Sequence, residues 1–295
     1  MVKRANNSAN SAGQKLPRVL VLQGKPAGTC PQMNETLIQR LRELSQIVEV
    51  SAASGEAPIE PGTAEMVVVL GGDGSFLGAA RRLAQSKIPV VGVNLGRLGF
   101  LTEFSPKDFL DLLPDILLGK LKALPRMMLN VTVCRKGTAC FQSPAMNDIS
   151  IVAGEPFRMI ELSVRHRDVE VCTFLGDGLI VSTPSGSTAY TLSAGGPILM
   201  PSMQAMVMTP LAAHNLYIRP LVLTSEYAVE IRPLRANKGT TASIDGQIRC
   251  PLAVGDEIEV VASKDHLWVV QNPRWPFFKT LRTKMQWGRN PTDVK

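Results

Sequence analysis

Cysteine is scarce and poorly paired in this 295-residue chain: its five cysteines (Cys30, Cys134, Cys140, Cys172 and Cys250) are odd in number, and none stands in a C-x-x-C pair. A small disulfide scaffold is excluded, and a reducing compartment is the simplest expectation. The three histidines (His166, His214 and His266) form no H-E-x-x-H, so the sequence shows no zinc site. Aromatic residues make up only 5% of the chain, and the one dense basic stretch is 279–295. That argues against the interleaved basic and aromatic surface of a nucleic-acid binder. No apolar run approaches the roughly 18 to 20 residues that span a bilayer; the richest, 66–70 and 88–93, are strand-length. Residues 1–15 are rich in Asn, Ser, Ala and Gly and lack the apolar stretch of a secretory signal. Neither a nucleic-acid nor a membrane partner is expected, and residues 1–16 read as a disordered tail on a cytoplasmic protein.

What is present suffices for a large core. Hydrophobic residues reach 45% against 19% charged, with a mean hydropathy of +0.08, too little charge for a disordered chain. The length is about twice the usual single-domain prior, so two units are expected. Thirty-two Lys and Arg against twenty-five Asp and Glu leave +7, which favours anionic partners such as nucleotides or phosphorylated metabolites. From residue 18 short β-rich runs alternate with helical ones: strand 19–22, helix 32–44, strand 47–50, strand 66–70, helix 76–85, strand 88–93, and helix 106–118 ended by Gly119. That rhythm predicts an open, mainly parallel α/β sheet over 17–124. After Pro125 the period changes to two, in runs 129–135, 148–152, 159–165, 169–174, 179–182, 227–232, 241–244, 258–262 and 267–270. A β-sandwich domain over 125–270 is predicted, interrupted by one helical stretch after Ser187. The segment 271–295 carries Trp275, Phe277, Phe278 and Trp287 and is expected to dock back on the N-terminal domain.

The sharpest local signal is Gly71-Gly72-Asp73-Gly74-Ser75, between a buried-looking strand and a helix. Glycines allow close backbone approach, and free N–H groups at a helix start favour phosphate. Neither standard nucleotide fingerprint fits: there is no G-K-[ST], and Gly78 falls one place late for G-x-G-x-x-G. A tight strand-to-helix turn would use the same residues; a carboxylate at the carboxyl end of a parallel strand, where open sheets bind ligands, favours a site. A second stretch, Gly176-Asp177-Gly178 and then 183–197, packs hydroxyls and glycines at a predicted helix start, with Ser187 as its cap. Alone it reads as an ordinary Ser/Thr/Gly loop. Asn147-Asp148 and Asp245-Gly246-Gln247 are weaker, being common turn pairs. Met200, Met203, Met206 and Met208 read as core filler, and His214 as structural.

These stretches, in this order, resemble the NAD kinase family from about residue 19 to about 270. Gly-Gly-Asp-Gly-Ser is shared with diacylglycerol and sphingosine kinases, whereas Asn147-Asp148, Thr183 to Tyr190, Gly195-Gly196-Pro197 and Arg219-Pro220 mark NAD kinases. The resemblance implies an N-terminal Rossmann-like α/β domain of the phosphofructokinase and diacylglycerol-kinase kind, a C-terminal β-sandwich, and an interdomain cleft for the dinucleotide. It implies transfer of the ATP γ-phosphate to the adenosine 2′-hydroxyl of NAD, with Mg²⁺ or another divalent cation and Asp73 as catalytic base. By the same resemblance Asp73, Gly74, Asn147, Asp148, Arg158, Leu175, Asp177, Thr188, Ala189, Tyr190, Thr191, Leu192, Ser193 and Gln247 contact NAD, some across a subunit interface in a homodimer or homotetramer. Gly71, Gly72, Gly74 and Ser75 would receive the phosphate donor. Leu175 departs from the family, many bacterial members having Arg or Lys just before Gly-Asp-Gly, and Ser75 and Ser185 replace the commoner Thr. A lipid kinase is the alternative, although no exposed apolar membrane-contact surface is evident in the sequence.

Overall fold

The computed structural model describes residues 16–24, 31–55, 57–96 and 99–288. The tail expected over 1–16 lies outside the described residues up to Lys15. The N-terminal part runs β1 (Arg18–Gln23), α1 (Pro31–Leu44), β2 (Gln46–Ala52), β3 (Met66–Leu70), α2 (Asp73–Arg82), β4 (Val90–Val93), α3 (Pro106–Leu117) and β5 (Ala123–Arg126). Strands β1, β2, β3 and β4 pair in parallel. Every residue of β3 and β4 is buried. Continuous Val-rich runs of this kind suit a parallel sheet covered on both faces. Helix α1 contributes Leu37, Ile38 and Leu41 to one face and α2 contributes Phe76, Leu77 and Ala80 to the other. Helix α3 starts where Ser105 Oγ accepts the Asp108 N–H at 3.1 Å, and it stops before Gly119, whose φ of +66° suits glycine.

The C-terminal part is antiparallel: β6 (Leu129–Arg135), β7 (Thr138–Ala145), β8 (Asp148–Val152), β9 (Ile160–His166), β10 (Val169–Gly176), β11 (Gly178–Ser182), a one-turn helix α4 (Tyr190–Ser193), β12 (Ala205–Leu211), β13 (Leu221–Thr224), β14 (Val229–Arg235), β15 (Thr241–Ile244), β16 (Ile248–Pro251) and β17 (Glu257–Ala262). One sheet has the order β10-β9-β14-β17-β6-β7, the other β13-β12-β11-β8-β15-β16. Alternate residues of both, including Val131, Val133, Ile149, Ile151, Leu162 and Ile258, face inward and form the sandwich core. Met206 and Met208 belong to that core, but Met200 and Met203 are exposed.

The structure departs from the sequence reading in several places. The run 267–270, read as part of the sandwich, is β18 (Leu267–Val270) and lies in the first sheet, parallel to β4 and antiparallel to β5. An alternating apolar run does not encode which sheet it joins; Leu267 and Val269 pack with Val67 and Val90. Helix α2 begins at Asp73, not at residue 76, because Gly72 occupies the cap and Asp73 suits the first turn. The helical stretch after Ser187 is only a 3-10 turn, Gly186–Thr188, followed by α4. Ser187 does not cap it: the hydroxyl is buried, donates to the Pro184 carbonyl and accepts from Leu199 N. Strands β5, β7, β12, β13 and β16 were not legible, several carrying Pro or Met at positions that blur the period.

After β18 the chain returns along the first domain to α5 (Phe277–Met285). Arg274 reaches Asp108 and Asp111 at 2.8 Å each, and Trp275 Nε1 donates to Asp108. Although burial opposes it, these bonds hold the Asp108 carboxyl below its ordinary value. Glu103 ties the same region together: Oε1 accepts from Arg126 at 3.1 Å and Gln271 at 3.2 Å, Oε2 accepts the Asn272 N–H at 3.0 Å, and the Glu103 carbonyl accepts Asn272 Nδ2. Burial dominates the pair, pushing Glu103 up and Arg126 down despite their mutual attraction. Removing one partner strands the other charge, so Arg126→Met is expected to destabilise the fold by about 3–5 kcal/mol in urea titration. Adding Glu103→Gln should recover much of the loss; equal loss in the single and double variants would contradict this account.

Candidate active site

The carboxyl ends of β3 and β4 open onto the interdomain cleft, and α2 starts there. Gly71 donates its N–H to the Val93 carbonyl at 2.9 Å, which splices the turn to β4. The amides of Asp73, Gly74 and Ser75, in the first turn of α2, have no intrahelical acceptor. A Cβ on Gly71 would lie 2.6 Å from Ser75 Oγ, and one on Gly24 2.0 Å from it, so both glycines make room for the Ser75 side chain. Gly72 and Gly74 are exposed toward the cleft.

Asp73 is half-buried and rigidly held. Oδ2 accepts the Phe100 N–H at 2.9 Å; Oδ1 accepts the Leu101 N–H at 3.3 Å, the Thr102 N–H at 3.0 Å and the Thr102 hydroxyl at 2.7 Å. Asn94 Nδ2 donates in turn to Thr102 Oγ1 at 2.7 Å. Gly99 passes so close that a Cβ there would meet Asp73 Oδ1 at 1.7 Å. Of the roughly four lone-pair directions of a carboxylate, the one left open among the described residues is on Oδ2. The loop after β4 thus orients Asp73 and leaves one acceptor site toward the cleft.

The sandwich supplies the opposite wall. Asn147 precedes β8 and Asp148 begins it, Thr183 follows β11 and Asp245 follows β15, so antiparallel pairing brings all four to one end of their sheet. Asp245 Oδ1 accepts the N–H groups of Asn147 (2.7 Å) and Asp148 (3.1 Å); Oδ2 accepts Met146 N–H (3.1 Å) and Arg81 Nη1 (2.9 Å). Gln247 bridges back to α2, donating to the Gly74 carbonyl at 2.8 Å and accepting from Arg81 at 2.5 Å. Thr183 donates to the Met146 carbonyl and accepts Gly186 N–H. Asn147 Oδ1, Ser182 Oγ and Thr191 Oγ1 are buried without a partner among the described residues, acceptor and donor capacity that a bound polar ligand could use. Asp148 sits directly across from Ser182. Burial, and then the Asp245 charge, push the Asp148 carboxyl up to about 7.

Of the sequence-derived residues, the turn 71–75, Asn147, Asp148 and Gln247 therefore meet around one cleft. Thr188 lines a separate small cavity with Ser185, Phe100, Leu101 and Phe277, next to the loop that holds Asp73. Ala189, Leu192 and Ser193 flank the one-turn α4, where Tyr190 is exposed and Thr191 buried. Arg158, Leu175 and Asp177 do not join them. Asp177 precedes β11 and bonds to Ala153 and Leu211 at the far end of the sheet, roughly 15–20 Å along the strand from Thr183. Leu175 is half-buried in β10, its carbonyl bound by His214 N–H, and Arg158 is exposed beside Asn237. Sequence reasoning missed Arg81, Asn94, Gly99 to Thr102 and Phe277, and read Asp245 only as part of a weak turn pair. Only the glycines of 94–99, following β4 at its carboxyl end, gave a local hint.

Asp148 yields a pH signature. Its carboxyl is raised in the folded protein, so between about pH 4 and 7 the folded state binds more protons than the unfolded one, and stability falls as pH rises through that window. Asp148→Asn is expected to gain stability relative to the parent from pH 4 to 7 and to run parallel above about pH 8, read by urea unfolding across pH. A constant difference at all pH values would show that the carboxyl titrates normally.

Comparison with known proteins fits this geometry. Residues 11–121 match the ATP-NAD kinase N-terminal domain and residues 146–272 the ATP-NAD kinase C-terminal domain. A NAD kinase of Rhodopirellula baltica is 37% identical over 95% of this chain and 92% of its own. One from Heliobacterium modesticaldum is 42% identical over 76% of this chain and 80% of its own. Among solved structures, an Archaeoglobus fulgidus NAD kinase in complex with ATP superposes with a TM-score of 0.73 at 26% identity, covering 91% of this chain and 98% of that one. Yeast NADH kinase complexed with NADH shares the fold, with a TM-score of 0.84 at 23% identity over 95% of this chain and 90% of that one. Both halves match NAD kinases, which removes the lipid-kinase alternative. With its α/β and sandwich domains and its glycine turn facing Asn147 and Asp148, the chain belongs to the ATP-NAD kinase family.

Proposed function

We propose that this protein is a phosphotransferase that moves the γ-phosphate of ATP to the adenosine 2′-hydroxyl of NAD, giving NADP. The observation that carries the reading is Asp73: a carboxylate fixed by four hydrogen bonds, with one open acceptor direction, in the first turn of α2. Family membership supports the same reading, as does the ATP complex of the archaeal relative. Asp73 Oδ2 would accept the ribose hydroxyl proton and align the oxygen for in-line attack. The helix start favours the ionised carboxylate, so its larger contribution is orientation; phosphoryl transfer is dominated by positioning and charge stabilisation. The amides of Gly74 and Ser75 and the open backbone at Gly72 would receive donor phosphate oxygens. Gly71 contributes clearance, its own N–H being taken. Asn147 Oδ1 and Asp148 would accept or donate to the nucleoside hydroxyls, and Thr188 to Ser193 would close over it.

A divalent cation such as Mg²⁺ would neutralise the charge developing on the transferred phosphate. Among the described residues no three His, Cys, Asp or Glu side chains converge on one point; the donor set therefore fits a cation carried mainly by the donor's phosphates, with Asp73 the nearest carboxylate of the turn. Arg158, Leu175 and Asp177 fit the same ligand if a second copy presents them. Their end of the sheet carries the exposed apolar side chains Phe157, Leu216 and Tyr217 (74%, 77% and 93% exposed), which a homodimer or homotetramer would cover.

NADP formation from NAD and ATP should require a divalent cation, and Asp73→Asn should lower kcat by about 10²- to 10⁴-fold while NAD affinity changes only a few-fold. Full activity in excess chelator, or a variant keeping more than about a tenth of kcat, would refute the assignment. Light scattering should show a homo-oligomer whose specific activity drops on dilution; a monomer active at every concentration would remove the shared-site reading.

A further inference from the structure

A second polar cavity, of about 360 Å³, lies at the C-terminal end of α2, away from the glycine turn. It is lined by Arg81, Arg82 and Arg249, with Gly55, Gln142 and Ser143 among its other walls. Arg81 and Arg82 belong to the last turn of α2, eight and nine residues beyond Asp73, about 12 Å along the helix. Arg249 comes from β16 in the sandwich, so the cavity straddles the two domains.

Among the described residues its charge is largely uncompensated. Arg81 alone has a carboxylate partner, Asp245. Among the described residues Arg82 bonds only to the carbonyls of Ala52, Ser54 and Ala57, and Arg249, exposed, makes no ion pair. No acidic side chain lines the cavity among the described residues. Arg81 is more than nine-tenths buried, yet its Nε has no acceptor among the described residues. A buried, unsatisfied guanidinium N–H beside two further guanidinium groups is costly unless an anion completes it. Gly55 lets the loop after β2 close over this edge, since a Cβ there would lie 3.2 Å from Arg82 Cζ.

We propose that this cavity is an effector site for a small phosphorylated anion carrying at least two negative charges, coupled to the active site through Arg81. Guanidinium forks match phosphate oxygens in pairs, which favours a phosphate group over a single small ion. The coupling follows from Arg81's other bonds. Its Nη1 holds Asp245, which fixes the backbone of 146–148, and its Nη2 holds Gln247, which grips Gly74. An anion that draws Arg81 toward the cavity weakens both grips and lowers turnover. The coupling, though not the binding, rests on the function proposed above.

Inorganic pyrophosphate is the probe. Calorimetry on the full chain saturated with ATP, without NAD or divalent cation, keeps the donor turn occupied. One further pyrophosphate site is expected, and Arg249→Glu should weaken it by about tenfold or more. Arg249→Gln should weaken it less and guards against a folding defect, which thermal melting will reveal. In the coupled assay pyrophosphate should lower kcat in the parent in a manner not relieved by excess ATP or NAD, and should lose that effect in Arg249→Glu, whose basal rate stays normal. Absent pyrophosphate binding under ATP saturation, or binding indifferent to Arg249, overturns the site. Binding that responds to Arg249 with inhibition fully relieved by ATP overturns the coupling. Loss of NADP formation in the parent itself would instead count against the proposed function.

Discussion

The arrangement turns on one buried carboxylate. Asp245 accepts the backbone N–H groups of three consecutive residues, Met146, Asn147 and Asp148, and completes its coordination with Arg81 from the other domain. Four donors fill the lone-pair directions of both oxygens. The negative charge is thereby tolerated with its side chain fully buried, opposite an Arg81 side chain only 6% exposed. A charge so placed would be prohibitive without these partners. With them it fixes where β8 begins, how α2 meets the sandwich, and the width of the cleft between them.

Asp73 is the counterpart on the first domain, and the contrast between the two carboxylates is instructive. Both hold a loop by accepting consecutive backbone amides. Asp245 is saturated, buried and paired with a cation, so its role is structural. Asp73 is half-buried and, among the described residues, has no arginine partner and keeps an open acceptor direction, so it can meet a ligand. Asp148 is raised to about 7 because it lies buried beside Asp245, a consequence of the same clamp that sets its backbone.

The C-terminal segment extends this logic. By returning to the first sheet as β18 and then docking Trp275 and α5, the chain closes on itself around Glu103 and places Phe277 against Phe100 with ring centroids 6.5 Å apart. The loop that carries Thr102, and through it Asp73, is therefore braced from behind by residues some 170 positions later in sequence. The cleft is built from three separate stretches of chain, and its rigidity depends on all of them.

Much of this was legible in the sequence because it is local. Val-rich runs of strand length specify buried parallel strands, alternation specifies sandwich faces, and three glycines around a carboxylate after such a strand specify a close-approach turn. The motif residues 71–75 and 147–148 could be picked out from those patterns and from their resemblance to a family. What the sequence could not yield was non-local. Which sheet receives 267–270 depends on available edges, not on its own alternation. Asp245-Gly246 looks like any turn pair until β15 is laid beside β8 and its carboxylate meets three amides. Arg81 looks like a solvated helix-end charge until the sandwich closes over it. Asp177 belongs to the same Gly/Ser/Thr-rich stretch as Thr183 but sits at the opposite end of β11, because a strand carries its two ends apart by its full length. Periodicity and turn chemistry are written along the chain; partners for buried charge are decided only when distant segments pack.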